Sequence, residues 1–562
     1  MDEFSLCREI LSRLSSHPLS PHGLEHLKIE VCRAHHSPVI PKNSALLAAA
    51  LPDERERLRD LLLAKPTRTL SGVAPVAVMT SPAPCPHGKC LPCPGGPDHP
   101  FGTPQSYTGE EPAALRAREH DYDPYRQVRA RLSQFQALGH PVDKAELIVM
   151  GGTMTARPPD YQRWFVSECL RAMNDAAGSR VPKGDSAPSE PRLPRGVGGP
   201  RGRAGIAQGG EGPLRAGSTS PRTTFEDIAR ENEAASVRCV GMTFETRPDW
   251  CGEEHVKRML SLGVTKVELG LQHTDDRILD LNRRGCHLGD AVGANRLLRD
   301  SGFKVGFHVM PNLPGAALAD DEAMFQALFS DEGLRPDFLK IYPTLVTPGS
   351  GIEELYRKGE YEPYPEPVLV DLVARAKAMI PPYVRLQRVQ RDIPRKLITA
   401  GSIHGNLRQM AKARLAELGC SCRCIRCREA GRRVPDGEPA VQVITYPCCG
   451  GTEHFIGAVA GDTLIGYARL RFPGTGGALA PEASSLLREL HVYGPLVALG
   501  KAAGTREWQH RSFGGILLEK AEELSRDERF RRITVLSGIG VRPYYRQRGY
   551  ERRGPYMSKD LA

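Results

Sequence analysis

The sequence predicts an α/β protein, in which a partial TIM-like (β/α)6 barrel precedes a smaller α/β domain and a short cysteine-rich linker joins the two. Three observations predict this architecture. Apolar runs alternate with helix-like stretches between residues 147 and 389, as in a parallel sheet that curls toward a barrel. The chain has 562 residues, more than one hydrophobic core usually holds. The pattern changes after residue 400, where cysteines cluster and further strands begin.

The predicted barrel occupies residues 76–400. Its strands are expected at 147–150, 239–244, 267–271, 304–310, 338–342 and 384–389, and its helices at 160–176, 253–262, 289–300, 318–330 and 366–379. Six such units make a partial barrel, and we expect substrate chemistry at the carboxyl ends of its strands. Residues 178–222 interrupt the pattern; because Gly, Pro, Arg and Ser dominate them, they predict a disordered insertion.

The predicted second domain occupies residues 436–562, after a linker at 401–435. Its strands are expected near 464–471, 486–493 and 533–538, with a helix at about 514–525. At the other end of the chain, residues 1–75 predict a polar helical region. The net charge of +10 favours a polyanionic partner, nucleic acid first, although basic residues often only solvate a surface. The candidate phosphate contacts in this region are Lys28, Lys42, Arg55, Lys65 and Arg68.

The amino terminus and the apolar segments predict a cytoplasmic protein with no membrane span. No stretch reaches the roughly 18 apolar residues of a membrane helix, and the first residues lack an apolar run with a cleavage site. Three of the 15 cysteines fall at 85–93 and four at 420–427. Without a secretory signal, such clusters indicate metal or catalytic thiolates rather than disulfides.

The first cysteine cluster predicts an iron–sulfur site. Cys85, Cys90 and Cys93 follow the spacing C-x4-C-x2-C, close to the C-x3-C-x2-C of radical S-adenosylmethionine (SAM) enzymes. Three thiolates would hold a 4Fe-4S cluster and leave its fourth iron open to SAM. A zinc site with His87 or a remote residue as fourth ligand is the alternative. The pair Gly151-Gly152 at a strand end favours the cluster, because it lets backbone approach the amino group of SAM.

Several longer runs make the sequence similar to the catalytic subunit of Elongator. The similarity covers about residues 60–560 apart from the insertion. It is carried by residues 68–79, 85–87, 93–98, 105–109, 148–153, 243–249, 342–345, 388–394 and 404–408, and in the second half by 488–494 and 544–546. The resemblance implies a radical SAM barrel fused to a GNAT acetyltransferase domain, with a structural zinc between them.

The resemblance also implies an activity, the conversion of the wobble uridine of tRNA, at position 34, to 5-carboxymethyluridine from acetyl-CoA. A deoxyadenosyl radical would take hydrogen from the acetyl methyl, the carbon radical would add to uridine C5, and the thioester would be hydrolysed. The expected cofactors are a 4Fe-4S cluster, SAM and zinc, with acetyl-CoA as substrate. The expected partners are the tRNA anticodon stem-loop and an electron donor, in a protein that could form a homodimer.

The expected site residues form three groups. The resemblance implies acetyl-CoA contacts at Lys144, Glu489, Leu490, His491, Val492, Phe513, Gly514, Gly515 and Tyr545. SAM contacts are expected at Gly151, Gly152, Glu245 and Gln272, with His308, because these residues lie near strand ends. Catalytic roles are expected at Lys144, Glu245, Tyr544 and Tyr545. Cys422, Cys424 and Cys427 form the expected zinc set, with His404 or Cys420 as fourth ligand. Ser512 departs from the family pattern, where the loop before the helix has a glycine for the CoA pyrophosphate.

Two other functions stay open at this stage. One is a protein lysine acetyltransferase in which the iron–sulfur cluster is only structural. The other is a tRNA-binding scaffold without catalysis, for which the serine in the CoA loop would be suitable. The first predicts acetylation without SAM, and the second predicts tRNA binding without turnover of acetyl-CoA.

Overall fold

The computed structural model describes residues 2–14, 20–65, 68–69, 71–98, 102–177, 223–474, 479–493 and 513–561. The predicted insertion at 178–222 and Ser512 lie outside these ranges. Within them the chain forms an amino-terminal helical unit, a parallel sheet surrounded by helices, and a second sheet. Among the described residues, no helix has both the length and the apolar character needed to cross a membrane.

The amino-terminal unit is a small helical bundle with its own core. Its helices are α1 (Glu3–Leu14), α2 (Pro21–Ala34), α3 (Asn43–Ala49), α4 (Pro52–Arg57) and α5 (Arg59–Leu62). Apolar residues at helical spacing, such as Leu6, Ile10 and Leu14 of α1, are buried together. The predicted domain boundary at residue 75 is late, because a strand of the next unit already begins at Ala74.

The larger sheet is parallel and runs in sequence order from β1 to β7, which confirms the predicted fold class. Its strands are β1 (Ala74–Met79), β2 (Lys144–Met150), β3 (Arg238–Thr246), β4 (Lys266–Gln272), β5 (Lys304–Val309), β6 (Phe338–Ile341) and β7 (Arg385–Val389). The sheet therefore has seven strands where six were predicted. β1 was missed because it precedes the cysteine motif and carries Pro75, which an edge strand tolerates.

Helices connect the parallel strands and cover the outside of the sheet. They are α6 (Pro112–Glu119), α7 (Pro124–Ala137), α8 (Pro159–Asn174), α9 (Phe225–Asn232), α10 (Glu253–Ser261), α11 (Asp276–Leu281), α12 (Leu288–Asp300), α13 (Leu318–Ser330), α14 (Gly351–Arg357) and α15 (Glu366–Met379). All five predicted barrel helices are present, within two residues at each end. Since every strand ends at the same edge of the sheet, the loops after the strands meet there.

The second sheet follows two helices of the linker, α16 (Leu407–Glu417) and α17 (Ile425–Arg428). Its strand order is β13-β14-β12-β11-β10-β9-β8. The strands are β8 (Ala440–Cys448), β9 (Gly451–Ala460), β10 (Thr463–Phe472), β11 (Ser484–Val492), β12 (Arg532–Val535), β13 (Glu551–Arg553) and β14 (Tyr556–Asp560), with helices α18 (Phe513–Asp527) and α19 (Arg542–Arg546). Four of these strands were missed, because two form a hairpin at the linker boundary and two are short strands at the carboxyl end.

A buried ionic network joins the two sheets. Asp337, just before β6, accepts two hydrogen bonds from the guanidinium of Arg488, at 2.7 and 2.9 Å, and lies 3.3 Å from both Arg299 and Arg469. Glu453 of β9 also pairs with Arg488, at 2.7 Å. All five side chains are at most 1% exposed. Because each buried charge has a partner in the other domain, the network fixes the relative position of the two domains.

Candidate active site

A single cavity of about 690 Å³ runs inside the parallel sheet, and residues of the predicted cluster and SAM sites line it. Cys85, Cys90 and Cys93 line it, and so does Arg385, whose guanidinium donates to the hydroxyl of Tyr493 at 2.6 Å. Since Tyr493 directly follows β11, the cavity reaches from the cysteine loop to the junction with the second sheet.

Two of the three cysteines have polar neighbours of the kind that stabilise thiolates bound to iron. The Gln105 amide donates to Cys93 Sγ at 3.1 Å, and the Ser106 backbone N–H donates to the same sulfur at 3.2 Å. His87 Nε2 lies 3.0 Å from Cys90 Sγ. Burial and the positive charge of nearby arginines lower the pKa of His87 to about 4, so its ring is neutral at pH 7. These contacts fit a cluster on three thiolates, with the neutral His87 ring next to Cys90.

Backbone conformation at two strand ends suits a bound ligand. Gly151 and Gly152, after β2, have φ of +115° and +100°, and a Cβ on Gly151 would lie 2.4 Å from Thr80 Oγ1. Only glycine fits there without strain. Gln272, at the end of β4, adopts φ +73°, although it has a side chain. Gly152 and Gln272 line the cavity, whereas Gly151 does not. Strained residues cluster at functional sites, which agrees with their assignment to SAM.

Glu245 belongs to an ionic cluster on the cavity wall. Its carboxylate accepts from Lys340 Nζ at 3.0 Å and from the hydroxyl of Tyr107 at 3.0 Å. Lys340 also pairs with Glu268, to which His308 Nε2 lies at 2.9 Å. Burial would raise the pKa of Glu245, but the positive charge of Lys340 outweighs it and lowers the pKa. Burial and Lys340 lower the pKa of His308. The cluster therefore offers an ionised carboxylate and a neutral imidazole to a substrate.

Ligand atoms of Glu245, Glu268 and His308 lie within 4.8 Å of one another, a spacing that could hold a metal ion. Lys340 contacts both carboxylates, however. Because an ammonium group already offsets their charge, the cluster is satisfied without a cation.

The predicted acetyl-CoA segment lies on β11 where that strand leaves its neighbour. β11 pairs with β12 only from Ser484 to Leu487, whereas its pairing with β10 continues to Val492. Glu489 accepts from Arg469 Nε at 2.8 Å and from the hydroxyl of Tyr467 at 2.9 Å. Its side chain thus belongs to the domain junction. Among the described strands, β12 therefore diverges from β11 after Leu487, next to the segment that carries residues 489–492.

The remaining acetyl-CoA and catalytic candidates are spread over this junction. The hydroxyl of Tyr544 lies 2.8 Å from where a Cβ on Gly514 would be, at the start of α18. Tyr545 is buried in the core of the second domain, which raises its pKa and leaves Tyr544 the more accessible of the pair. Lys144 begins β2, at the strand end opposite Gly151, and burial lowers its pKa.

The second cysteine cluster brings three thiols together. Cys422, Cys424 and Cys427 lie within 4.8 Å of one another and are mostly buried. Neither proposed fourth ligand joins this group: Cys420 is exposed, and His404 Nε2 instead lies 3.4 Å from a carboxylate oxygen of Glu366. The three predicted thiols are thus close enough to share a metal ion. Among the described residues, no fourth metal-ligating side chain belongs to this group.

The five amino-terminal basic residues that were candidate phosphate contacts differ in exposure and in pairing. Lys28 is only 3% exposed, and its ammonium pairs with Glu25 at 2.8 Å, so it stabilises the helical bundle and cannot reach a phosphate. This burial was not predicted, because lysine side chains in polar helical regions are mostly exposed. Lys42, Lys65 and Arg68 are exposed, and Arg68 lines the cavity. Arg55 is also exposed, but its Nε donates to a backbone carbonyl.

Sequence reasoning missed Lys340, Glu268, Tyr107 and Gln105. Lys340 had a detectable signal, because a lysine within the apolar strand Phe338–Ile341 must have a buried partner. Tyr107 and Gln105 lie in a loop with no periodicity. Only the fold brings them to the cysteines and to Glu245.

Comparisons with known proteins agree with this geometry. Family models described as the ELP3 N-terminal domain, the radical SAM superfamily and the radical SAM C-terminal domain match residues 4–70, 207–328 and 336–417. The tRNA uridine(34) acetyltransferase of Methanocaldococcus infernus is 40% identical over 96% of this chain and 95% of its own. That of Dehalococcoides mccartyi is 42% identical over 88% and 99%. Elongator complex protein 3 of Homo sapiens is 39% identical over 93% and 90%.

A solved structure is similar as well. The archaeal Methanocaldococcus infernus Elp3 with an amino-terminal deletion superposes with a TM-score of 0.70 at 36% identity, covering 88% of this chain and 100% of that one. The parallel sheet, its three-cysteine loop and the matching models together define a radical SAM protein. Within that class, the chain belongs to the family of the tRNA uridine(34) acetyltransferases and Elongator complex protein 3.

Proposed function

We propose that the protein modifies the wobble uridine of tRNA, forming 5-carboxymethyluridine from acetyl-CoA with a radical SAM mechanism. The continuous cavity is the observation that carries this proposal. It joins Cys85, Cys90 and Cys93 to the junction where β11 ends, so one substrate can meet both halves of the chain. The names of the relatives point to the same nucleoside.

Each half would supply one requirement of that reaction. A 4Fe-4S cluster on the three cysteines, with SAM, supplies a radical able to remove hydrogen from an unactivated methyl group. Gly152 and Gln272 would hold SAM beside it. Residues 489–492 of β11, which lie beyond the end of its pairing with β12, and the start of α18 would bind acetyl-CoA. Glu245, oriented by Lys340 and Tyr107, would present an ionised carboxylate to SAM or to the substrate in the cavity.

The proposal is tested by anaerobic reconstitution of the protein with tRNA, SAM, a reductant and acetyl-CoA labelled in its methyl group. Nucleoside mass spectrometry is expected to show labelled carboxymethyluridine, formed together with deoxyadenosine. Omitting SAM or acetyl-CoA should each abolish the product. Acetylated lysine formed without SAM would support an acetyltransferase instead, and tRNA binding without any turnover would support a scaffold.

A structural zinc on Cys422, Cys424 and Cys427 is a separate part of the proposal. Cys424→Ser is expected to lower the zinc content from about one equivalent per chain to a small fraction of it, because removing a thiolate ligand weakens zinc binding strongly. The measurement is elemental analysis of the purified protein, with the thermal midpoint as a second readout.

Cys420→Ser is the matched control, since Cys420 lies in the same segment but is exposed and outside the three-thiol group. It should leave the zinc content unchanged. Zinc retained at full stoichiometry in the Cys424 variant would contradict the assignment. Zinc lost in both variants would make Cys420 the missing fourth ligand.

A further inference from the structure

Three arginines converge on the cavity at the first edge strand of the parallel sheet. Arg116 of α6, Arg131 of α7 and Arg68, which precedes β1, all line the cavity beside β1. Arg116 Nη2 donates to the carbonyl of Ala77 in β1 at 2.7 Å, which places its guanidinium against the strand. β1 has a sheet neighbour on one side only, so the group lies where the barrel is open.

Among the described residues, none of these three arginines forms an ion pair with a carboxylate. Arg116 is 8% exposed, and its Nε is buried with no hydrogen-bond partner. Arg131 Nε is likewise buried without a partner, while Nη1 donates to Gln134 at 3.3 Å and the guanidinium lies 4.0 Å from the centre of the Phe135 ring. Buried donors without an acceptor are uncommon, and a bound anion would supply acceptors to both of these nitrogens.

Electrostatics agree with the geometry. Burial, followed by the charges of Arg116 and Arg68, lowers the pKa of Arg131 to about 10. The contrast with the domain junction is informative, because there Asp337 and Glu453 neutralise the buried arginines. A purely structural arginine would be expected to have such a partner. Like charges held together without one are costly, and binding an anion would relieve that cost.

We propose that Arg116 and Arg131, with Arg68 at the rim, bind a phosphate group of a nucleotide ligand that enters the barrel beside β1. Guanidinium groups suit this ligand, since their planar donors match phosphate oxygens. Two sources have the required chemistry, the RNA backbone and coenzyme A. The phosphate site is inferred from the arginines alone, and the inference rests on the proposed function only where it names RNA and coenzyme A as the two candidate ligands. The RNA backbone is the expected source, because the diphosphate of coenzyme A has a candidate site at the start of α18.

The test uses the full chain with the substitution Arg131→Gln. Fluorescence anisotropy with a labelled tRNA anticodon stem-loop should show about 10-fold weaker binding. The slope of log Kd against log salt should fall by about 0.7–1, as for the loss of one phosphate contact. Calorimetric titration with coenzyme A forms the second arm and is expected to be unchanged. A loss confined to coenzyme A would place its phosphate at the site and support the proposal with that source.

Arg126→Gln on α7 and Arg118→Gln on α6 are the matched controls. Both side chains are exposed and lie outside the cavity, and each substitution removes the same charge. They should leave RNA and coenzyme A binding within about 2-fold of the unsubstituted protein. An equal loss in the controls would mean that only net charge matters, and it would overturn the proposal.

Thermal stability separates binding from a structural role. Since Arg131 has no acidic partner to lose, the Gln variant should melt at or above the midpoint of the unsubstituted protein. A lower midpoint with unchanged RNA and coenzyme A binding would make the arginines structural and refute the proposal. Arg116 is a poorer first target, because it supports the edge of β1. If no carboxymethyluridine forms but Arg131→Gln still weakens RNA binding, the proposed function fails and this site stands.

Discussion

Replacing Cys90 with serine is expected to abolish both SAM cleavage and uridine modification, by more than about 1,000-fold, because serine does not replace a thiolate ligand of an iron–sulfur cluster. Cys90 is half-buried in the cavity, with His87 and Arg284 beside its sulfur at 3.0 and 3.8 Å. Both neighbours lie close enough to stabilise a thiolate. Without it, the cluster should be lost or incomplete after anaerobic reconstitution.

Three measurements check this result: iron content, deoxyadenosine formation and labelled carboxymethyluridine. Cys251→Ala is the control, since Cys251 is a buried free thiol of the same domain that does not line the cavity. It should retain iron and activity. Full modification by the Cys90 variant would refute the radical mechanism, and loss of iron in both variants would show that the assay reports general stability.

Replacing Asp337 with asparagine is expected to cost about 3–5 kcal/mol of stability, because it leaves buried arginines without their acidic partner. Burial alone would raise the pKa of Asp337, but Arg299, Arg488 and Arg469 outweigh it and hold the pKa well below the ordinary value of 3.8. Its stabilising effect is therefore fully present above about pH 4. It is lost as the pH falls below that value toward the folded-state pKa.

Calorimetric melting between pH 3 and pH 7 measures both effects. The unsubstituted protein should lose stability steeply below about pH 4, and the Asn variant should start lower and show a shallower loss. Asp436→Asn is the control, because Asp436 is exposed at the second domain's surface. Its midpoint should not change. An Asp337 variant as stable as the unsubstituted protein would mean that the ionic network contributes little to holding the two domains together.

The elements that could be predicted are those with a recognisable pattern in the local sequence. The parallel sheet was predictable, because six of its strands are apolar runs between amphipathic helices. The three cysteines were predictable because their ligand spacing is local. The edge strand β1, the hairpin of β8 and β9, and the two short strands at the carboxyl end had no comparable pattern.

The ionic parts of the site were not predictable for a different reason. Glu268, Lys340 and Tyr107 lie far apart in the chain, and only the curvature of the sheet brings them to Glu245. Lys28 illustrates the opposite error. A lysine in a basic region suggested a phosphate contact, but Glu25 lies three residues before it on the same helix and the fold buries the pair.

The position of Asp337 has a consequence for how freely the two halves of this chain can be exchanged. It lies just before β6, three residues ahead of Lys340 on that strand, and Arg488 lies next to Glu489 on β11. The ion pair between Asp337 and Arg488 thus connects the strand that carries Lys340, on the cavity wall, with the predicted acetyl-CoA segment on β11. A chimera that takes its second domain from an unrelated acetyltransferase should fold as two separate units. For such a chimera to be active, the arginines and acidic residues of the junction would have to be introduced together.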